Sequence, residues 1–216
     1  MHKETHPYKA FVPQGAEKLI LGSIPPWRFT VDDNPEVNKL KKLQDGDIDF
    51  AYGSRSNRLW AILSDVFETG PLDSSGKIKK FLLKKKIAIS DVVHRCRRVP
   101  GRSALDQNLK EIEFNHSIIE ILKNNPSIRT ILFTSAFVER LFFKYFPVRT
   151  EKYNGYKIFI MPDDGRRVST AILYSPSNMA LRGIRQNREF KLRNSQKRHF
   201  SADEFRTEQY RGFLTG

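Results

Sequence analysis

The chain has little of what a disulfide-bonded, zinc-binding or membrane-spanning protein requires. It contains one cysteine, Cys96, among 216 residues, which excludes an intramolecular disulfide and a cysteine-based zinc cluster. No apolar run approaches the roughly 18 residues of a membrane-spanning helix. Residues 1–6 also lack the apolar core of a signal peptide. We therefore expect a soluble, cytoplasmic protein without a membrane partner.

Acidic residues are also scarce relative to basic ones. The chain has 38 Lys and Arg against 24 Asp and Glu, and its formal net charge is +14. This excess favours a polyanionic partner, of which nucleic acid is the commonest and an anionic membrane the second. Hydrophobic residues make up 39% of the chain, which includes 16 Phe. That is enough apolar surface for a compact folded core.

Signatures of metal and nucleotide sites are missing as well. No His, Asp and Glu residues occur at the spacing of a metal site. The chain contains neither a P-loop nor a dinucleotide-binding fingerprint. The sequence therefore predicts no metal and no cofactor.

Short apolar runs, bounded by turn or polar residues, predict strands that are buried on both faces. They lie at 19–22, 87–93, 130–134, 157–161 and 170–174. Helical periodicity lies between them, at 57–67, 105–122 and 135–146, and a capping box at 201–204 predicts a last helix. This alternation predicts an α/β fold: a three-layer α/β/α sandwich with a mainly parallel four-stranded central sheet and room for one flanking strand.

Two segments depart from this alternation. Residues 25–49 read as a long loop with one short, Lys-rich helical piece, and long loops in compact domains are often functional. From about 182 to 216 the chain is a strongly basic, helical extension. We expect one domain over 1–216 that includes this extension, and we expect a monomer.

Ligands of an open parallel sheet bind outside the carboxyl ends of its strands. The predicted ends are small, polar or turn-forming, which suits a phosphate or an oxyanion. They read Gly22-Ser23-Ile24-Pro25-Pro26, Ser90-Asp91, Thr134-Ser135 and Ser175-Pro176-Ser177-Asn178.

A second informative segment is 50–60. Phe50 and Tyr52 precede a turn of small residues, which is followed by Arg55, Asn57 and Arg58. Aromatic faces stack on bases, Arg contacts phosphates, and an amide can contact a base edge. The alternative is that the aromatic residues belong to the core and that Asn57 caps a helix.

Together these segments resemble the uracil-DNA glycosylase superfamily, and most closely its hypoxanthine-DNA glycosylase-like branch. Members of that branch have an apolar strand that enters a Gly-Thr/Ser-x-Pro turn, then an Asn-x-Phe/Trp-Trp segment, a strand that ends in Asp, and a Ser-x-Ser loop. The matching residues here are 19–25, 52–60, 87–91 and 175–177. The resemblance spans roughly residues 18 to 190.

The resemblance implies a monofunctional DNA glycosylase. Such an enzyme flips a damaged or modified nucleotide out of the stack and hydrolyses its N-glycosidic bond. Tyr52 or Phe50 would stack on the base, Ser23 and Ile24 would contact it, and Asp91 would read its edge. The implied contacts to DNA, duplex or single-stranded, are Pro25, Arg55, Arg58, Ser175, Pro176, Ser177, Asn178, Met179, Arg182 and Arg185, with Arg188 and Lys191 on the same predicted helical face.

Two catalytic groups that many superfamily members carry are replaced in this chain. The residue before the first Pro is Ile24 rather than Asp or Asn, and Ser175 stands where a His often precedes the second Pro-Ser. The resemblance then makes Asn57 the main catalytic candidate, as a water-orienting or base-contacting amide, with Asp91 the second. Because an amide is a poor base, its effect would come from electrostatic placement.

Other functions stay open at this point. The same fold without the usual catalytic groups suits a DNA-binding protein that is not an enzyme. The long 25–49 loop suits a bulkier substrate, such as the modified bases of phage DNA in a defence reaction. Charge alone is also compatible with an RNA-processing or tRNA-binding protein, which a comparison of DNA and RNA affinity at one salt concentration distinguishes.

Overall fold

Two β-sheets and eight α-helices organise the part of the chain that this computed structural model describes, residues 2–99, 102–153, 156–196 and 200–215. The strands are β1 (Glu4–Thr5), β2 (Lys18–Gly22), β3 (Val31–Asp32), β4 (Ile87–Asp91), β5 (Val93–Arg98), β6 (Leu109–Phe114), β7 (Thr130–Phe133), β8 (Thr150–Tyr153), β9 (Tyr156–Ile160) and β10 (Arg167–Ile172). The helices are α1 (Pro35–Lys39), α2 (Leu59–Val66), α3 (Ser75–Lys85), α4 (Ser117–Asn124), α5 (Ala136–Tyr145), α6 (Ala180–Gln186), α7 (Arg188–Gln196) and α8 (Ala202–Leu214).

The larger sheet has six strands in the order β4-β2-β7-β10-β9-β8. The first four are parallel to one another, and β9 and β8 are antiparallel to their neighbours. The predicted four-stranded, mainly parallel sheet is therefore corrected to a six-stranded mixed one. β9 meets β10 through the short connection 161–166, and so short a connection allows only an antiparallel pair. β8 has no apolar run to mark it, because its residues are mainly exposed.

Helices cover both faces of this sheet. Successive residues of β2 point to opposite faces: Leu19 and Leu21 pack in an apolar cluster with α4 and α5, and Ile20 packs in another with α2, α3 and α8. All three side chains are fully buried. The last helix, α8, adds Tyr210 and Leu214 to the second cluster, so it packs within the core of the sandwich.

The smaller sheet, in the order β3-β1-β5-β6, has no counterpart in the sequence prediction. The single strand predicted at 87–93 divides at Val92, where the chain leaves β4 and enters β5. Because β4 and β5 belong to different sheets, Asp91 lies at the junction between them. The extreme N-terminal strand β1 lies between β3 and β5.

The helix predicted at 105–122 is wrong. The chain there forms a 3₁₀ turn at Asp106–Asn108, then β6, and only then α4. Leu105, Leu109 and Ile112 have helical spacing, which misled the prediction. Residues 109–114 instead pair with β5 across two register shifts, so tertiary pairing overrides the local pattern.

The basic face predicted after Arg182 is divided between two helices. Asn187 leaves the helical conformation between α6 and α7, and its side chain accepts a hydrogen bond from the Phe190 backbone amide at 3.1 Å. The four basic side chains are exposed, but they do not form one continuous helical row. They are Arg182 and Arg185 on α6, and Arg188 and Lys191 on α7.

The buried guanidinium of Arg98 ties the 25–49 segment to the smaller sheet. Arg98 donates to the Glu4 carboxylate at 2.9 Å, to the Pro25 carbonyl at 2.6 Å and to the Ser103 carbonyl at 2.6 Å. The Thr30 hydroxyl donates to the same Glu4 oxygen at 2.8 Å. Both charged residues are 3% exposed. One side chain thus fixes the loops that follow β2 and β5.

Within the described residues, no helix combines the length and the apolar character that crossing a membrane requires.

We predict that Arg98→Met lowers the free energy of unfolding by about 3–5 kcal/mol, because it removes the cation that pairs with the buried Glu4 carboxylate. Urea denaturation followed by circular dichroism measures this. The double variant Glu4→Leu/Arg98→Met should recover part of the loss. Lys77→Met, which removes an exposed pair with Asp73, should cost less than about 1 kcal/mol. Equal small losses for both single variants would contradict the assigned role of Arg98.

Candidate functional site

The carboxyl ends of the four parallel strands surround one cavity of about 360 Å³. This volume lies within the ~300–1,000 Å³ range of small-molecule sites. Its walls come from the ends of β2, β4 and β7, the loop that follows β10, the turn that precedes α2, and the 104–106 turn. The topology of the larger sheet therefore gathers segments that are far apart in sequence.

Ten of the predicted site residues line this cavity. They are Ser23, Ile24, Pro25, Tyr52, Asn57, Asp91, Ser175, Pro176, Ser177 and Met179. Their roles in binding and catalysis stay predictions.

Asp91 is buried in the cavity wall and oriented from behind by His6. The His6 Nε2 lies 2.7 Å from Asp91 Oδ2, and because an ionised carboxylate only accepts hydrogen bonds, Nε2 is the donor. The other ring nitrogen of His6 contacts the backbone of Tyr8. The pairing of β1 with β5 places His6 here, so the N-terminal segment completes the site.

Tyr52 contacts the same carboxylate from the other side. Its hydroxyl has two acceptors for its one proton, the Asp91 carboxylate and the Ser90 carbonyl at 3.2 Å. Burial, together with the negative charge of Asp91, raises the pKa of Tyr52 well above its ordinary value. Tyr52 adopts a positive φ of 56°, a conformation that costs a non-glycine residue about 1–2 kcal/mol. The hydrogen-bonded hydroxyl holds the ring against the cavity, and the surrounding structure compensates for the cost of the positive φ.

Gly22, at the end of β2, makes this arrangement possible. A Cβ on Gly22 would overlap both Asp91 Oδ1 and the Tyr52 hydroxyl. Glycine is therefore required by the close approach of two side chains, and not by an unusual φ.

Asn57 lies at the turn into α2, and its side-chain oxygen is already engaged. Asn57 Oδ1 accepts a hydrogen bond from the Leu59 backbone amide at 2.9 Å, although the N-cap residue of α2 is Arg58. Within the described residues Nδ2 makes no hydrogen bond. The cavity therefore receives a hydrogen-bond donor from Asn57, whereas a water-activating acceptor would have to come from another residue.

The loop 175–177 is held in place by the C-terminal helix. Arg206 of α8 is fully buried and donates to the carbonyls of Ser175 at 2.8 Å and Ser177 at 3.1 Å, while it pairs with Asp203. The Arg58 backbone amide donates to the Pro176 carbonyl at 2.8 Å. These contacts brace the loop from both sides, so its cavity-facing side is preorganised.

Asp106 is a cavity residue that the sequence prediction missed. It lies in the 3₁₀ turn that follows β5, and its carboxyl contacts the Ser23 side chain. Burial raises the pKa of Asp106 above its ordinary value and the charge of Asp91 adds to this, whereas Ser23 and Arg98 act in the opposite direction. A carboxyl group thus faces the loop that carries Ile24.

Phe50 is a correction to the prediction. It is 8% exposed and packs in the core against Phe11 and Trp60, with ring centroids 6.1 Å apart in each pair. Its ring does not line the cavity, so of the two aromatic candidates only Tyr52 can contact a ligand there.

The remaining predicted contacts lie outside the cavity lining. Arg55 and Asn178 are exposed, Arg58 is partly buried, and Arg182 and Arg185 are exposed on α6. Arg55, Arg58 and Asn178 adjoin lining residues in the chain, whereas Arg182 and Arg185 lie on α6 beyond the lining residue Ala180. Among the described residues, no group of three His, Cys, Asp or Glu side chains is arranged to hold a metal ion.

Comparisons with known proteins give a likeness in fold. No protein-family model matches the chain, and no curated protein matches it. A similar solved structure is the solution NMR structure of a "putative uracil DNA glycosylase" from Methanosarcina acetivorans. It aligns over 99% of each chain with a TM-score of 0.54 and 17% sequence identity. The chain therefore has a uracil-DNA-glycosylase-like fold, and membership of the hypoxanthine branch stays a prediction.

We predict that Gly22→Ala destabilises the protein by about 1–3 kcal/mol, because the added methyl group must displace Tyr52 or Asp91. Thermal unfolding measures the loss. Gly212→Ala on α8 is the matched control, since a Cβ there meets no atom within 4 Å, and it should be neutral or stabilise by up to about 1 kcal/mol. A melting temperature unchanged by Gly22→Ala would contradict the packing described for the cavity wall.

Proposed function

We propose that this chain is a DNA glycosylase that flips a damaged or modified nucleotide out of the duplex and hydrolyses its N-glycosidic bond. The observation that carries the proposal is the convergence of Tyr52, Asn57, Asp91 and the loop 175–177 on one cavity. The likeness in fold to a protein described as a uracil DNA glycosylase supports the same reaction class.

The mouth of the cavity supports binding to a DNA backbone. The net charge is +14, and exposed Arg182 and Arg185 lie on α6, the helix that comes after the braced loop 175–177. Met179, 65% exposed beside the loop, is placed to enter the space that a flipped nucleotide leaves. Contacts of this kind offset the few kcal/mol that unstacking a nucleotide costs.

Inside the cavity, different residues recognise different parts of the nucleotide. The Tyr52 ring stacks on the base. Asp91, held by His6, accepts hydrogen bonds from base N–H groups, and Asn57 Nδ2 donates to a base carbonyl or ring nitrogen. The braced serines of the loop 175–177 hold the flanking phosphates.

Asp106 is our candidate for the residue that holds the attacking water. Of the two cavity carboxyls, Asp91 is engaged by both His6 and Tyr52, whereas Ser23 is the one hydrogen-bond partner of the Asp106 carboxyl among the described residues. The water oxygen bonds to the sugar C1′ while the C1′–N bond breaks, and the base leaves with the bonding electrons. The released proton passes to the Asp106 carboxylate, which also stabilises the cationic sugar of the transition state.

A monofunctional reaction is favoured by the composition of the cavity. No lysine of the described chain lines it, so a side-chain amine for Schiff-base chemistry is not at hand. The product is then an abasic site with an intact strand.

The test is a base-release assay on duplex and single-stranded oligonucleotides that carry uracil, hypoxanthine, xanthine or bulky modified pyrimidines. Hot alkali converts each abasic product into a strand break. We expect breaks on at least one of these substrates and none on unmodified DNA. Salt-dependent binding without release of any damaged base, N-alkylated purines included, would contradict the proposal and favour a DNA-binding protein that is not an enzyme.

Asn57→Asp tests the site within this assay. The variant keeps the oxygen that accepts from the Leu59 amide but removes the amide donor, so we expect stability within about 0.5 kcal/mol of the parent and a fall in kcat of roughly 100-fold. Asn57→Ala should lose both stability and activity. Base release by Asn57→Asp at the parent rate would exclude a catalytic role for this amide.

A further inference from the structure

The charges that line the cavity are opposite in sign to the charge of the protein. The only charged side chains in the described lining are the carboxylates of Asp91 and Asp106, and no Lys, Arg or His is among them. The whole chain carries a net charge of +14. An anionic cavity therefore opens on the surface of a strongly cationic protein.

Basic side chains lie behind the cavity wall, and none of them belongs to the described lining. Arg98 lies behind the loop of Asp106, but it is paired with the Glu4 carboxylate at 2.9 Å. His6 lies behind Asp91 and reaches it with a single Nε2–H. The polar groups that remain in the wall are serine and threonine hydroxyls and the Asn57 amide, which carry no net charge.

Such a cavity is poorly suited to a base that leaves as an anion. When a neutral base departs with the bonding electrons, negative charge develops on it, and a cationic or strongly donating group must stabilise that charge. Two carboxylates in the cavity wall oppose it instead. Ser175, which stands where many superfamily members carry a His, supplies only a neutral hydroxyl and no positive charge to stabilise the departing base.

We propose that this cavity selects a base that carries a positive charge, namely an N-alkylated purine such as N7-methylguanine. The inference rests on the proposed base-excision function and specifies its substrate class. The two carboxylates attract the cationic ring, and the described lining contains no positive side chain that would repel it.

A cationic base reacts without a group that stabilises a departing anion, so the position of Ser175 does not need the His that many superfamily members carry there. When the C1′–N bond of an N-alkylated purine breaks, the bonding electrons neutralise the ring, and the base leaves as an uncharged molecule without taking a proton. Water bonds to C1′, and its proton passes to Asp106. The same carboxylates that attract the charged base then stabilise the positive charge as it moves onto the sugar.

The first measurement compares rates on one duplex sequence that contains N7-methylguanine, hypoxanthine or uracil. Freed base is quantified by mass spectrometry, because hot alkali breaks DNA at alkylated purines without any enzyme, and spontaneous loss is subtracted from a protein-free sample. We expect N7-methylguanine to be released at least about tenfold faster than the neutral bases.

The second measurement needs no catalysis. A 2′-fluoro nucleotide resists cleavage, so duplexes with 2′-fluoro-N7-methylguanosine or 2′-fluoroguanosine report binding of a cationic or a neutral base by fluorescence anisotropy at fixed salt. We expect the parent protein to prefer the cationic duplex by about tenfold. Asp106→Asn should reduce that preference to about twofold or less.

Asp163→Asn is the matched control for charge. Asp163 lies in the turn between β9 and β10, at the other end of the sheet, and pairs with Lys123 at 3.4 Å. Asp163→Asn removes the same charge as Asp106→Asn and should leave the preference for the cationic duplex intact. Equal binding of both duplexes by the parent, or faster release of a neutral base, would overturn the inference while the proposed function stands. A cationic preference without release of any base would support the inference and overturn the proposed function.

Discussion

The parallel pairing of β4, β2, β7 and β10 is the constraint on which the rest of the structure depends. It brings four strand ends, far apart in sequence, to one edge of the sheet, and the cavity lies where they meet. The closeness of those ends leaves no room for a side chain on Gly22, since Asp91 and Tyr52 fill the space. The apolar clusters on both faces of the sheet hold this edge rigid, so the site is built on the core of the fold.

The smaller sheet and the last helix refine what the parallel strands assemble. β1 carries His6 to the back of Asp91, Arg98 fixes the loops that bear Pro25 and Asp106, and Arg206 braces the loop 175–177. Each of these side chains is buried and acts on a loop through fixed hydrogen bonds. The cavity is therefore preorganised by residues that lie outside its surface.

The sequence predicted the strands of the parallel core and their polar ends, because buried strands and turn residues are local signals. It could not predict His6 or Arg206, whose partners are 85 and about 30 residues away. Asp106 was hidden because Leu105, Leu109 and Ile112 have helical spacing, whereas the pairing of β6 with β5 makes the segment a turn and a strand. The choice between Phe50 and Tyr52 also needed the tertiary structure, since both are aromatic and only the second faces the cavity.

The central claim of this account is that a flipped nucleotide enters the cavity at the carboxyl edge of the parallel strands. A crystal structure of the protein bound to a duplex with an uncleavable tetrahydrofuran abasic nucleotide tests it most directly. The account predicts an extrahelical sugar beside Asp106 and Asn57, with the flanking phosphates on the loop 175–177 and Met179 inserted into the duplex. An abasic nucleotide that stays within the helix, or DNA bound to another face of the protein, would contradict it.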